Sequence, residues 1–252
     1  MGFLKILGKI FGSTVFTTFL VLAIMMGELV SFTDYQNIKE SLLVIVKQSV
    51  IGAVGEAQLD QFYNFLVFQC TQKNSIPLPI PGYDITVDCN DVRTLEKDQL
   101  FDKVSVSIVD SVYYKKFSCD FVSCLQSGDT ENMLIALSSE GNQFYKNMQM
   151  YLWIATVVGL AIMLASIDTW TGRLKGTGWV VVVTALPFLF LNYISEFIMP
   201  PLPEGAEAIS TILNQLLDSI RGKFLIVFAA GVVLLLAGYG LDFYLRRQKR
   251  KK

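Results

Sequence analysis

Four cysteines and a few polar residues set in apolar surroundings are the groups in this chain whose type and spacing could carry chemistry. Cys70, Cys89, Cys119 and Cys124 are separated by 18, 29 and 4 residues. Structural zinc draws its thiolates from closely spaced pairs, and these gaps do not supply two such pairs. A redox dithiol is expected as Cys-x-x-Cys opening a helix; the run from Cys119 to Cys124 is wider. An even number of cysteines, all in one stretch between apolar segments, reads instead as a disulfide framework in an oxidising compartment. Three pairings exist. Cys70–Cys89 with Cys119–Cys124 is favoured, because the first pair flanks a loop between two helices and the second closes a short loop. Cys70–Cys124 with Cys89–Cys119 is the main rival.

The chain has no histidine. That removes the usual general base, proton shuttle and commonest metal ligand, and Ser–His–Asp or Cys–His catalysis within the chain is excluded. The glycines of residues 172–178 lack both the spacing of a phosphate-binding loop and a preceding strand, and read as a tight turn. No catalytic residue, cofactor site or metal site is assigned.

A second group of candidates lies in the apolar segments. Glu28 sits near the end of the first segment, while Asn192 and Glu196 are one turn apart in the third. Intramembrane carboxylates are costly and often functional, so these three define a candidate substrate, ion or proton site. The alternative, which we favour from position alone, is that they reach interfacial water or hydrogen-bond between helices. Asp168 and Asp242 end apolar segments near Arg173 and Arg246, and are expected to pair with them.

The segments that carry these groups span residues 13–32, 152–168, 179–199 and 224–245. A bilayer core of roughly 30 Å needs about 20 apolar residues in a helix, and each run meets or approaches that length. Apolar residues make up 52% of the chain and charged residues 17%, as expected when such spans are diluted by a polar domain. Basic residues fix the orientation. Lys5 and Lys9 precede the first span (residues 1–12), and Arg173 and Lys175 lie in the turn 169–178. Arg246, Arg247, Lys249, Arg250, Lys251 and Lys252 form the tail 246–252. With four spans these sites share one side, which the positive-inside rule makes cytoplasmic. The tail would also attract anionic lipid headgroups. The first span then acts as an uncleaved signal anchor in a multi-pass protein of the cell membrane, with both termini cytoplasmic.

Residues 33–151 carry 15 acidic and 9 basic side chains and are expected to form an extracytoplasmic domain. Apolar periodicity predicts a helix over 37–68, interrupted near Gly52 and Gly55. Pro77, Pro79 and Pro81 forbid helix over 73–91, where Ile85–Val87 forms a short extended piece. A second helix, 92–116, is predicted with Asp91 as its cap and Leu95, Val104, Ile108 and Val112 as its stripe. A third is expected around 130–138. After the third span, the loop 200–223 holds an amphipathic helix, 204–221, whose apolar face (Leu213, Leu216, Leu217, Ile220) is expected to pack within the chain.

The fold class is therefore an all-α integral membrane protein: four transmembrane helices and a mainly helical, disulfide-stapled extracytoplasmic domain between the first two. The order of elements resembles that of claudin-like proteins in topology. The Trp…Gly-Leu-Trp…Cys…Cys signature of their first outer segment is absent, and no family follows. The function expected is non-enzymatic: the outer domain binds, senses or scaffolds a membrane or surface protein partner. An alternative is a small transporter or channel subunit using the polar residues of spans one and three, which with four spans requires a homo-oligomer. A thiol oxidoreductase is a weaker alternative. The partners implied are the lipid bilayer and another protein, with no feature for nucleic acid.

Overall fold

The computed structural model describes residues 2–40, 42–43, 56–80, 83–127, 129, 132, 134–191 and 207–249. The chain divides into two compact units: Met1–Val30 with Tyr145–Lys252, and Ser31–Phe144.

Among the described residues, the first unit holds the greater part of four long helices: α1 (Gly2–Phe32), α6 (Ser139–Ala165), α7 (Trp170–Leu189) and α8 (Glu207–Lys249). Among the described residues, three stretches are long and apolar enough to cross a bilayer: Lys5–Phe32, Ser139–Ala165 and Asn214–Gln248. The chain is accordingly a multi-pass membrane protein. The third apolar segment of the sequence falls partly on α7 and partly on residues 192–199, which lie outside the described residues.

Two boundaries differ from the sequence reading. The glycine-rich stretch 172–178 is not a turn but the first half of α7. The turn is shorter and earlier, at residues 166–169. Thr169 starts the new helix by accepting the Gly172 amide at 3.1 Å, as an N-cap threonine does. The amphipathic stretch 204–221 is likewise no separate helix, because from Glu207 it runs without a break into the fourth apolar segment as α8. Gly222 is the one helix-breaking residue at the junction. Its cost of about 1 kcal/mol relative to alanine is too small to stop a helix packed on its neighbours.

Glycines let these helices touch backbone to backbone. A Cβ on Gly12 would stand 2.6 Å from the Met163 amide nitrogen, and one on Gly159 2.6 Å from that of Phe16, so α1 and α6 meet at closest approach there. The α7–α8 pair repeats the device. A Cβ on Gly178 would meet the Gly231 carbonyl at 2.9 Å, and one on Gly238 the Lys175 amide nitrogen at 3.0 Å. Small residues at such crossings are the usual means of association where lipid removes the hydrophobic drive. Phe16, Leu20 and Ile24 of α1, Val181 and Ala185 of α7, and Phe224 of α8 form a shared core, against which Leu160 of α6 packs. Phe224 is fully buried and stacks on Phe188 at 3.9 Å.

The ion pairs at the basic end also differ in part. Asp168 pairs with Lys5 at 2.7 Å, not with Arg173. Arg173 instead turns back to donate to the Ile167 carbonyl at 2.8 Å, an acceptor left open as the chain leaves α6. Asp242 does meet Arg246, at 3.1 Å, and also binds Lys175.

The second unit is mainly helical but not wholly so. Helix α2 (Glu56–Gln69) leads into an antiparallel hairpin, β1 (Ser75–Ile80) with β2 (Tyr83–Asp88), in the register Ser75↔Asp88 to Ile80↔Tyr83. The hairpin is a departure from an otherwise nearly all-helical chain among the described residues. Pro77 and Pro79 are two apart in β1, so their missing N–H groups lie along one edge, where a two-stranded sheet tolerates them. The first half of the helix predicted over 37–68 is helical at residues 35–40, and Gly52 and Gly55 lie outside the described residues.

The helix predicted over 92–116 is two helices, α3 (Cys89–Thr94) and α4 (Lys97–Tyr113), broken by extended backbone at Leu95 and Glu96. The cap of α3 is Asp88, which accepts the Asn90 amide at 2.8 Å; Asp91 lies inside the helix. The buried face of α4 is Leu100, Ser105, Val109 and Tyr113, while Leu95 and Val104 only flank the core. A short helix unforeseen from the sequence, α5 (Phe121–Gln126), is capped by Asp120. The helix expected near 130–138 is a 3-10 turn, Leu134–Leu137. The core joins Leu66 of α2, Ile76 and Val87 of the hairpin, Val92 and Leu100, with Cys70 and Cys89 buried among them.

Candidate functional sites

The four cysteines form two disulfides, Cys70–Cys89 and Cys119–Cys124, with Cα–Cα distances of 5.2 and 5.4 Å. The first ties the end of α2 to the start of α3 across the hairpin. Arg93 reinforces it by donating to the Cys70 carbonyl. The second encloses the start of α5. There the Asp120 carboxylate accepts the Ser123 hydroxyl at 2.6 Å and the Ser123 amide at 3.3 Å. Those bonds hold the Asp120 carboxyl below the usual carboxylate range. Phe121 stacks on Phe144 at 4.1 Å and anchors the loop. Both thiol pairs are thus consumed in holding loops to a packed core.

Of the candidate trio Glu28, Asn192 and Glu196, the last two lie outside the described residues. The partners of Glu28 come from α8. The Ser219 hydroxyl donates to one carboxylate oxygen, and the Lys223 ammonium stands 4.0 Å from the other. Glu28 is 4% exposed. Ser219 and Lys223 are one turn apart, so a single face of α8 answers the charge. Sequence reading missed both residues because it placed them in a loop. The signal was present in their spacing of four, legible once α8 is seen as continuous.

A tyrosine cluster ties the start of the second unit to α4. The Tyr35 phenol binds the Asp110 carboxylate, and its ring lies 5.3 Å from that of Tyr113. Tyr113 donates to the Thr33 carbonyl at 3.1 Å, and Tyr114 meets the Tyr113 ring edge-on at 5.0 Å. The bond to Asp110 raises the Tyr35 phenol above its ordinary range, with burial adding to it; burial first, then the charge of Asp34, raises Tyr113.

Elsewhere the second unit presents apolar surface. Phe65 is 50% and Phe68 64% exposed on α2, beside Val67, and Val122 and Leu125 are exposed on α5. Phe62 and Leu66 of the same helix face the core instead. In the basic tail, Arg246 and Arg247 belong to α8, while Arg250, Lys251 and Lys252 lie outside the described residues. No protein-family model, curated protein or solved structure matches the chain.

Proposed function

We propose that this is a non-enzymatic membrane protein whose disulfide-stapled unit, Ser31–Phe144, faces out of the cytoplasm and binds a protein partner. On this reading the apolar segment 179–199, to which α7 belongs in part, is a fourth span. The chain then crosses the bilayer four times with both termini cytoplasmic. Support for the sidedness comes from the ten basic residues at three short sites, against the net acidity of residues 33–151. The observation that carries the binding role is the Phe65–Phe68 face of α2. Exposed aromatic surface on an element fixed by a disulfide and a packed core is a preorganised anchor for a partner. The transporter alternative loses its motive at Glu28, whose charge Ser219 and Lys223 answer within the helix pair.

Two measurements test the reading. On intact cells, a membrane-impermeant maleimide should label a cysteine introduced at Asn90 and spare one introduced at Arg247; the reverse pattern sinks the topology. A photo-crosslinking residue at Phe68 should give one discrete adduct, lost with Phe65→Ser, while the same group at Asn90 gives none. No adduct from Phe68 in correctly inserted protein sinks the binding role.

A further inference from the structure

An open groove of about 290 Å3 runs between α1 and α7, lined by Ser13, Thr14 and Thr17 on one side and Trp179, Val183 and Thr184 on the other. Its hydroxyl groups spend their protons inside their own helices and keep only acceptor capacity toward the groove. Ser13 and Thr14 donate to the Ile10 carbonyl at 2.9 Å, Thr17 to the Thr14 carbonyl at 3.0 Å, and Thr184 to the Val180 carbonyl at 2.7 Å. With their protons used inside their own helices, these side chains offer the groove mainly methyl and methylene surface. A compact ligand site is enclosed, usually with roughly 300–1,000 Å3. This one is at the lower end of that range and is open to its surroundings, which suits a single flexible chain.

The end of the groove is chemically different. Trp179, half exposed, lines it together with Ser13, and its indole N–H points to the Tyr239 hydroxyl of α8 at 3.5 Å, so it offers the groove the apolar side of its ring. Lys9 lies about one turn beyond Ser13 on α1, about 6 Å nearer the basic end. The neighbouring cations are committed. Lys5 is held by Asp168 and Lys175 by Asp242, and Arg173 lies over the Trp170 ring and binds the Ile167 carbonyl. Lys9 is exposed and has no acidic partner among the described residues. Its long stem allows the ammonium to reach along the helix surface to a headgroup.

We propose that this groove binds one anionic phospholipid from the leaflet on the basic side of the bilayer. An acyl chain lies between Thr14 and Thr17 of α1 and Val183 and Thr184 of α7, flanked by the Trp179 ring, and Lys9 takes the phosphate. The inference rests on α7 crossing the bilayer beside α1, and not on which side of the bilayer is cytoplasmic. A failure of the topology would appear in the maleimide labelling, and a failure of the groove in the lipid count that follows.

The full chain, reconstituted in nanodiscs of equal phosphatidylglycerol and phosphatidylcholine and released into mild detergent, should retain one phospholipid by native mass spectrometry. Retention should favour phosphatidylglycerol by about fivefold, the scale of one basic side chain's attraction to an anionic surface. Lys9→Gln should keep the lipid and lose the preference. Val183→Trp should lose the lipid, because Val183 is 62% exposed and a larger ring there fills the groove without entering the core. Val157→Trp, on an exposed face of α6, should retain it as the parent does. Equal retention of the two lipids by the parent chain, or an unchanged lipid count in a Val183→Trp variant with parental thermal stability, would overturn the proposal.

Discussion

Gly12→Ala should destabilise the protein, while the chemically identical change at Gly240 or Gly222 should not. The difference follows from what an added methyl group would meet. At Gly12 it would lie 2.6 Å from the Met163 amide nitrogen and 2.9 Å from the Met163 Cα, whereas ordinary contact begins at 3.4 Å. Backbone atoms cannot rotate aside, so α1 and α6 must part by 0.8 Å or tilt by an equivalent amount. Overpacking of this kind costs about 1–3 kcal/mol, and the better helix propensity of alanine returns up to about 1 kcal/mol. The expected net loss is about 1–2 kcal/mol. At Gly222 and Gly240 nothing lies within 4 Å, so only the propensity gain remains. Thermal unfolding in detergent, followed by tryptophan fluorescence, should show Gly12→Ala several degrees below the parent, at roughly 2–4 °C per kcal/mol. Gly240→Ala should lie at or above it. Gly159→Ala should behave as Gly12→Ala does, because its methyl group would meet the Phe16 backbone at 2.6 Å. Combining the two should cost less than their sum, since one separation of the helices relieves both clashes. If Gly12→Ala and Gly159→Ala unfold together with Gly240→Ala, the two backbones are not in contact and this account of the membrane unit is wrong.

The remaining expectations concern the disulfides, the tyrosines and Glu28. Replacing Cys70 and Cys89 by serine should cost about 3 kcal/mol and replacing Cys119 and Cys124 about 2 kcal/mol, because the loops closed span 19 and 5 positions. Urea unfolding in which the shorter loop matters more would contradict the chain-entropy argument. Tyr35 and Tyr113 hold their protons more tightly folded than unfolded. Their contribution is therefore present below the ordinary phenol value near pH 10 and fades as pH rises through the raised values. Stability should fall above about pH 10, and the Tyr35→Phe, Tyr113→Phe double variant should flatten that limb; an unaltered limb would assign it to other groups. Glu28→Gln keeps an acceptor for Ser219 and should cost at most about 1 kcal/mol, against about 2 kcal/mol for Glu28→Leu, which strands the hydroxyl. Equal losses in detergent unfolding would mean the hydroxyl contact does not hold the carboxylate.

What was legible in the sequence follows from which interactions are local. The apolar runs announced helices because a bilayer imposes length on any span. The glycines of residues 172–178 misled because glycine in water reads as a turn, whereas at Gly178 it makes room for the Gly231 backbone. The break at Leu95 and Glu96 carries no glycine or proline. It follows from α3 being drawn into the core by Cys89 and Val92, a tertiary pull that no window of sequence contains. Helix α5 was missed although its signal was local: Asp120 and Ser123 have the spacing of a cap. The Lys5–Asp168 pair spans 163 positions. Proximity along the chain favoured Arg173, and only the crossing of α1 and α6 at their glycines reveals the true partner.

The same distinction bears on where function lies. A carboxylate in a span invites a mechanistic reading, because burying its charge is expensive unless it does something. Glu28 has a use that needs no substrate: Ser219 and Lys223, 191 and 195 positions away, answer it across the α1–α8 contact. Helix α2 presents the opposite case. Phe62 and Leu66 seat it on the core, while Phe65 and Phe68 keep half or more of their surface exposed. An expensive group with its cost met inside the fold argues for structure. Exposed aromatic surface of that kind is why the proposed binding role is put on α2 and not on Glu28.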